Sequence, residues 1–201
     1  AIIQNYGLVG LQNPEWVDRL QTGPEVHFFP QVNSCHAGDT VRIHVMAGSI
    51  LQPFSTLLGA GWTLPLNPTY IQSNSIKFSY ANSVLASSAS YLKMNRILSS
   101  GVTNSIVKTD HLGISGYGEI GEISFIIPSN YTTQTIVPLQ GLQIKLIDEN
   151  GADLAAIPGT DTLFINMTSG IDELNADQWL VYPNPIRGNS IHITGPLRAE
   201  S

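Results

Sequence analysis

The chain has 201 residues, 42% of them hydrophobic and 12% charged, with 9 Lys and Arg against 15 Asp and Glu for a net charge of −6. That suits one domain of roughly 100–200 residues with attachments, and it is too apolar for wholesale disorder. Cations scattered singly exclude binding to nucleic acid or an anionic membrane surface, no apolar stretch approaches the roughly 20 residues that span a bilayer, and a single cysteine, Cys35, excludes an internal disulfide or a multi-cysteine metal site.

The chain opens on Ala1 rather than Met and reads as a processed piece of a longer protein. Residues 1–24 read as the last turns of a helix, stopped at Gly7, followed by a connector with Asn-Pro and Gly-Pro pairs. From 25 to 168, short runs rich in Val, Ile, Phe, Thr and Tyr are broken every 8–12 residues by Gly, Pro, Asn or Asp. This spacing predicts an all-β sandwich or barrel. The predicted strands are Val26–Gln31, Asp39–Ala47, Leu58–Leu66, Ser75–Tyr80, Ser90–Leu98, Ser105–Thr109, Gly118–Ile127, Leu142–Asp148 and Thr160–Asn166. Alternation turns Val41, Ile43 and Val45 inward and Arg42 and His44 outward, and it turns Leu142, Ile144 and Leu146 inward against Gln143 and Lys145. Asn150-Gly151 supplies a turn, and Pro68 to Ile71 allows one helical turn at most. Residues 169–178 form a second linker. A truncated module at 179–201 begins with Trp179–Tyr182, for which Ile191–Ile193 is the expected strand partner.

No arrangement of residues predicts catalysis. Glu119 and Glu122 are three apart, which on a regular strand puts them on opposite faces. Asp110 and His111 are adjacent and diverge, and Gly113-Ile114-Ser115-Gly116 lacks the spacing of a nucleophile elbow. Cys35-His36 lacks further ligands at zinc spacing, so Cys35 is expected as a small buried thiol. Asp148, Asn150 and Asp153 offer hard oxygens suited to calcium around a glycine turn, but the same residues suit a plain turn. No other cofactor is expected. Phe78 and Tyr80 share a strand face if it is regular, and with Tyr91 and Tyr117 they are the candidates for an aromatic platform binding polysaccharide.

Three segments resemble known families. Gly38–Val41, Leu58–Leu64, Gly101–Asp110 and Thr109–Phe125, through Gly116-Tyr117-Gly118-Glu119-Ile120-Gly121, resemble cohesin-like domains of large exported proteins from Bacteroidetes-type bacteria. Together they cover most of 25–168. Pro65 and Asn67 stand where that family usually has an aromatic and an Asp, so the third strand is expected to be bulged or at an edge. The tail Tyr182-Pro183-Asn184-Pro185 is similar to the opening of a type IX secretion C-terminal sorting domain, and Ala1–Gly7 to the end of a dockerin-like repeat whose calcium loop is absent here. The resemblance implies a jelly-roll-like β-sandwich of about nine antiparallel strands. It also implies a non-catalytic, secreted or cell-surface module, exported through the outer membrane. Such a module attaches to a dockerin-like segment or to neighbouring domains, or acts as a spacer. The alternative is a carbohydrate-binding module that targets a polysaccharide-active parent.

Overall fold

The computed structural model describes residues 23–87 and 90–167, and the backbone of 180–182 and 192–194. Alternation decides the first strands. In β1 (Glu25–Pro30), Val26 and Phe28 are buried while His27 and Phe29 face away from the core. After the short β2 (Ser34–Cys35), β3 (Thr40–Ala47) buries Val41, Ile43, Val45 and Ala47 and turns Arg42, His44 and Met46 outward. The long β4 (Phe54–Pro65) leads into a 3-10 turn at Pro68–Tyr70, where the Asn67 side chain accepts a hydrogen bond from the Thr69 amide. Then come β5 (Lys77–Ser79), a second 3-10 turn at Val84–Ala86, and the hairpin of β6 (Tyr91–Leu98) with β7 (Gly101–Lys108). The unit closes with β8 (Ile114–Gly116), β9 (Gly118–Ile126), β10 (Thr135–Gln140), β11 (Leu142–Asp148), β12 (Asp153–Leu154), β13 (Ile157–Pro158) and β14 (Thr160–Ile165).

These strands form a β-sandwich. One sheet runs β13-β1-β3-β9-β5, and the other runs β12-β11-β4-β7-β6 with β8 also paired to β4. A smaller sheet, β10-β14-β2, adds a third set of strands. The ladders are antiparallel except β1 with β13 and β2 with β14. The core lies between the inward faces, where Phe28, Ile43, Ile123 and Phe125 on one sheet share an apolar cluster with Leu57, Trp62, Leu64 and Ile106 on the other. Each fully buried aliphatic or aromatic side chain of this kind stabilises the fold by about 1.5–3 kcal/mol.

The departures from expectation have local causes. β4 is not an edge strand, since it lies between β11 and β7. Pro65 is tolerated as its last residue because β11's pairing has already ended at Thr63, opposite Leu142. The bulging half of that expectation holds, with register shifts against β8 and β11. Leu142 points outward, not inward, because Gln143 takes a left-handed conformation at φ 51° and the bulge reverses the alternation before Lys145. β10 was not expected, because Pro138 interrupts its apolar run; it lies at the end of its small sheet, where proline is permitted. Cys35 is buried, and burial, aided by the charge of Asp39, pushes its thiol pKa up to about 11.

Residues 168–201 form a separate unit. Within it, β15 (Leu180–Tyr182) and β16 (His192–Thr194) pair antiparallel with Val181 opposite Ile193, which is the expected strand pair. Pro183, Asn184 and Pro185 of the sorting-type motif, the linker 169–178 and residues 1–22 lie outside the described residues. No helix among the described residues is long and apolar enough to cross a membrane.

Candidate functional site on the six-stranded sheet

The outward face of the six-stranded sheet is built in rows fixed by register. One row crosses β6, β7, β4 and β11 as Leu92, Val107, Gly59 and Ile147. The next is Met94, Ser105, Gly61 and Lys145, and the third is Arg96, Thr103, Thr63 and Leu142. Leu92, Met94 and Leu142 are 65%, 70% and 53% exposed, although each is a large apolar side chain. The centre of the face is nearly bare backbone. A Cβ on Gly59 would lie 3.1 Å from both Val107 and Ile147, so those two side chains close over it from either side. At Gly61 the nearest atoms to a Cβ would be 3.6 and 3.8 Å away, which leaves room for a side chain there.

Charge on this face stands at its margins, where Lys145 and Asp153 pair at one side and Arg96 lies at the other. Lys145 Nζ lies 3.0 Å from Asp153 Oδ1, and from β6 to β11 the three rows contain no carboxylate. Thr63 and Thr103 hydroxyls hydrogen-bond across the strands at 3.1 Å. The result is a flat, mostly uncharged surface with protruding aliphatic side chains at its sides. Contiguous apolar exposure of this kind marks a binding surface rather than ordinary solvent-facing sheet.

The predicted site residues are placed elsewhere. Tyr80 is only 5% exposed, and its hydroxyl donates to Asn95 Oδ1. Burial, with Tyr91 nearby, pushes its pKa up to about 12. Phe78 and Tyr91 pack partly buried against the core, and of the four aromatic candidates Tyr117 alone is well exposed. The four therefore form no exposed row. Phe78 lies opposite the buried Ile123 and Tyr80 is buried in the same cluster, so the two share a face as expected, but it is the core side of the sheet and not the solvent side. Asp148 Oδ1 accepts hydrogen bonds from the amides of Asn150 at 2.9 Å and Ala152 at 2.8 Å, while Asp153 reaches Lys145, so these side chains already have turn and ion-pair partners. Gly151 takes φ 78°, which the Asn-Gly turn requires. Asp110 is likewise engaged, with Lys108 Nζ at 3.0 Å and the Leu112 amide at 3.1 Å.

One grouping was missed. Glu119 and Glu122 lie on the same outward face of the five-stranded sheet, beside His44. A register shift between Val45 and Met46 sets His44 opposite Glu122 and Met46 opposite Glu119, so the three-residue separation no longer means opposite faces. Ile120 and Gly121 both turn inward there. Gly121 is needed because a Cβ would press on Trp62 at 3.1 Å and Tyr80 at 3.2 Å. The signal in the sequence was the pair Gly118 and Gly121, because glycine inside a strand often marks a bulge.

The sequence matches no family model and no curated protein. Solved structures do match the fold. A type II cohesin from Bacteroides cellulosolvens superposes with a TM-score of 0.57 at 14% identity, over 71% of this chain and 99% of that one. The fold is that of a cohesin module. A cohesin module from a family 33 glycoside hydrolase of Clostridium perfringens gives 0.56 at 10% identity, over 72% of this chain and 98% of that one. A type I cohesin–dockerin complex from Clostridium thermocellum gives 0.53 at 13% identity, over 72% of this chain and 94% of that one.

Proposed function

We propose that this cohesin-like sandwich is a non-catalytic attachment module of an exported protein. It holds a dockerin-like partner on the outward face of the six-stranded sheet. The observation that carries the reading is the exposure of Leu92, Met94 and Leu142 around the side-chain-free strip at Gly59 and Gly61. A helical partner needs a flat surface with apolar anchors, and protein interfaces draw most of their energy from a few such central contacts. Arg96 at the β6 margin suits a partner with a carboxylate beside its apolar contacts. The similarity to a cohesin solved with its dockerin supports the choice of partner class.

The test is binding of the chain to a dockerin-like segment of the kind that Ala1–Gly7 resembles, taken from the same parent protein. Binding in the micromolar range or tighter that Met94→Asp weakens at least tenfold supports the proposal. Binding that neither Met94→Asp nor Gly61→Glu alters moves the site off this face. No binding at high micromolar concentrations removes attachment and leaves a spacer.

A further inference from the structure

The outward face of the other sheet carries a different kind of site. Its central row runs Phe29, His44, Glu122 and Ser79 across β1, β3, β9 and β5. His44 Nδ1 lies 3.0 Å from Glu119 Oε2 and 3.7 Å from Glu122 Oε2, and one donor atom from each of the three residues falls within 4.8 Å of the others. The two carboxylates are only 13% and 12% exposed, and they point at one imidazole nitrogen. We propose that His44, Glu119 and Glu122 bind a divalent first-row transition ion of the zinc type.

Coordination geometry supports this assignment. Zinc bonds of about 2.0–2.1 Å in a tetrahedral site hold adjacent ligand atoms about 3.3–3.4 Å apart. The separations of 3.0 and 3.7 Å fall on either side of that value, and all three donor atoms lie within 4.8 Å of one another, so small side-chain rotations bring three ligands to one ion. Glu122 is also held correctly for the task. Arg42 Nη1 donates to its Oε1 at 3.1 Å and leaves Oε2 facing His44. Ligand carboxylates are commonly oriented by such a hydrogen bond to the other oxygen. One imidazole with two carboxylates suits zinc or its neighbours in the row better than calcium, which takes oxygen ligands. Three protein ligands leave a fourth position for water or for a group from a partner.

The neighbouring histidine shows what such a site requires. His27 also has two carboxylate partners, Glu25 Oε2 at 2.7 Å and Asp161 Oδ2 at 3.1 Å. They address opposite ring nitrogens, Nε2 and Nδ1, and so do not converge on one point. At His44 both carboxylates meet the same nitrogen, and the bulge in the β3–β9 ladder is the reason. Cys35 adds no competing ligand, being buried with a raised pKa.

The experiment is a zinc titration of the tag-free 201-residue chain at neutral pH, followed by calorimetry and by NMR of the imidazole rings. One zinc ion per chain at micromolar affinity or tighter is expected. Affinity should fall at least tenfold in both His44→Gln and Glu119→Gln, and stay unchanged in His27→Gln. Zinc should shift the His44 ring signals of the unmodified protein first, a readout that needs no variant to fold. Undiminished binding by folded His44→Gln, or His44 signals that do not move at saturating zinc, overturns the proposal. Gly61→Glu, which targets the docking face, should bind zinc normally, so failure of either proposal is distinguishable from failure of the other.

Discussion

On the six-stranded sheet, the row from Leu92 through Val107 and Gly59 to Ile147 stays apolar until Asp153 at its β12 end; on the five-stranded sheet, the central row holds an imidazole and a carboxylate between Phe29 and Ser79. Both rows stand on the same apolar core. Packing constrains every second residue of a strand and leaves the others free. One fold can therefore carry a dry docking face on one side and a polar, ligand-competent cluster on the other. The fold alone does not determine which surface acts.

The shared core is the first place to test this separation. Phe125→Ala should lower unfolding free energy by about 3–5 kcal/mol in urea titrations and weaken both faces together, since Phe125 is fully buried. Preserved stability would mean the two sheets do not share a core. Next comes Gly121→Ala. The methyl group would press on Trp62 and Tyr80, and overpacking of this kind costs about 1–3 kcal/mol. Because Gly121 lies within the bulge, this variant should also lose zinc affinity in the titration above, while binding at the opposite sheet stays within twofold.

Gly61→Glu isolates the docking face. The site has room for a side chain, so stability should change by less than about 0.5 kcal/mol while partner binding falls at least tenfold. A stability loss equal to that of Gly121→Ala would show that the two glycines are not in different environments. The smallest effect concerns His27. Burial disfavours its charge, but hydrogen bonds from Glu25 and Asp161, reinforced by their charges, outweigh it and raise its pKa above the ordinary 6.5. Its contribution to stability is therefore complete below about pH 6.5 and is lost as pH rises through the raised folded value. Between pH 5.5 and 8.5 the urea midpoint of the wild type should fall by more than that of Asp161→Asn, and equal falls would remove the coupling.

What was legible in the sequence follows the same division. β3 could be read because alternation there identifies the inward side chains. β2, β8, β12 and β13 are only two or three residues long, too short to carry a period, and form because neighbouring strands supply partners. Leu142 and the pair Glu119 and Glu122 were assigned to the wrong faces because a bulge shifts the alternation by one residue, and register is a property of two strands. Ser90–Leu98 was recognised as a strand, but the exposure of Leu92 and Met94 depends on β6 ending its sheet, which no local pattern encodes.

That terminal position has a consequence for solubility. β6 pairs with β7 along one side only, so its other backbone edge is a template on which a second copy could add a strand and begin a chain of aggregation. Lys93 and Arg96 stand near its middle. They point to opposite faces, so an antiparallel pairing of two copies near the centre of β6 would bring Lys93 toward Lys93 on one face and Arg96 toward Arg96 on the other, and the repulsion works against joining at an edge whose aliphatic side chains would otherwise favour it.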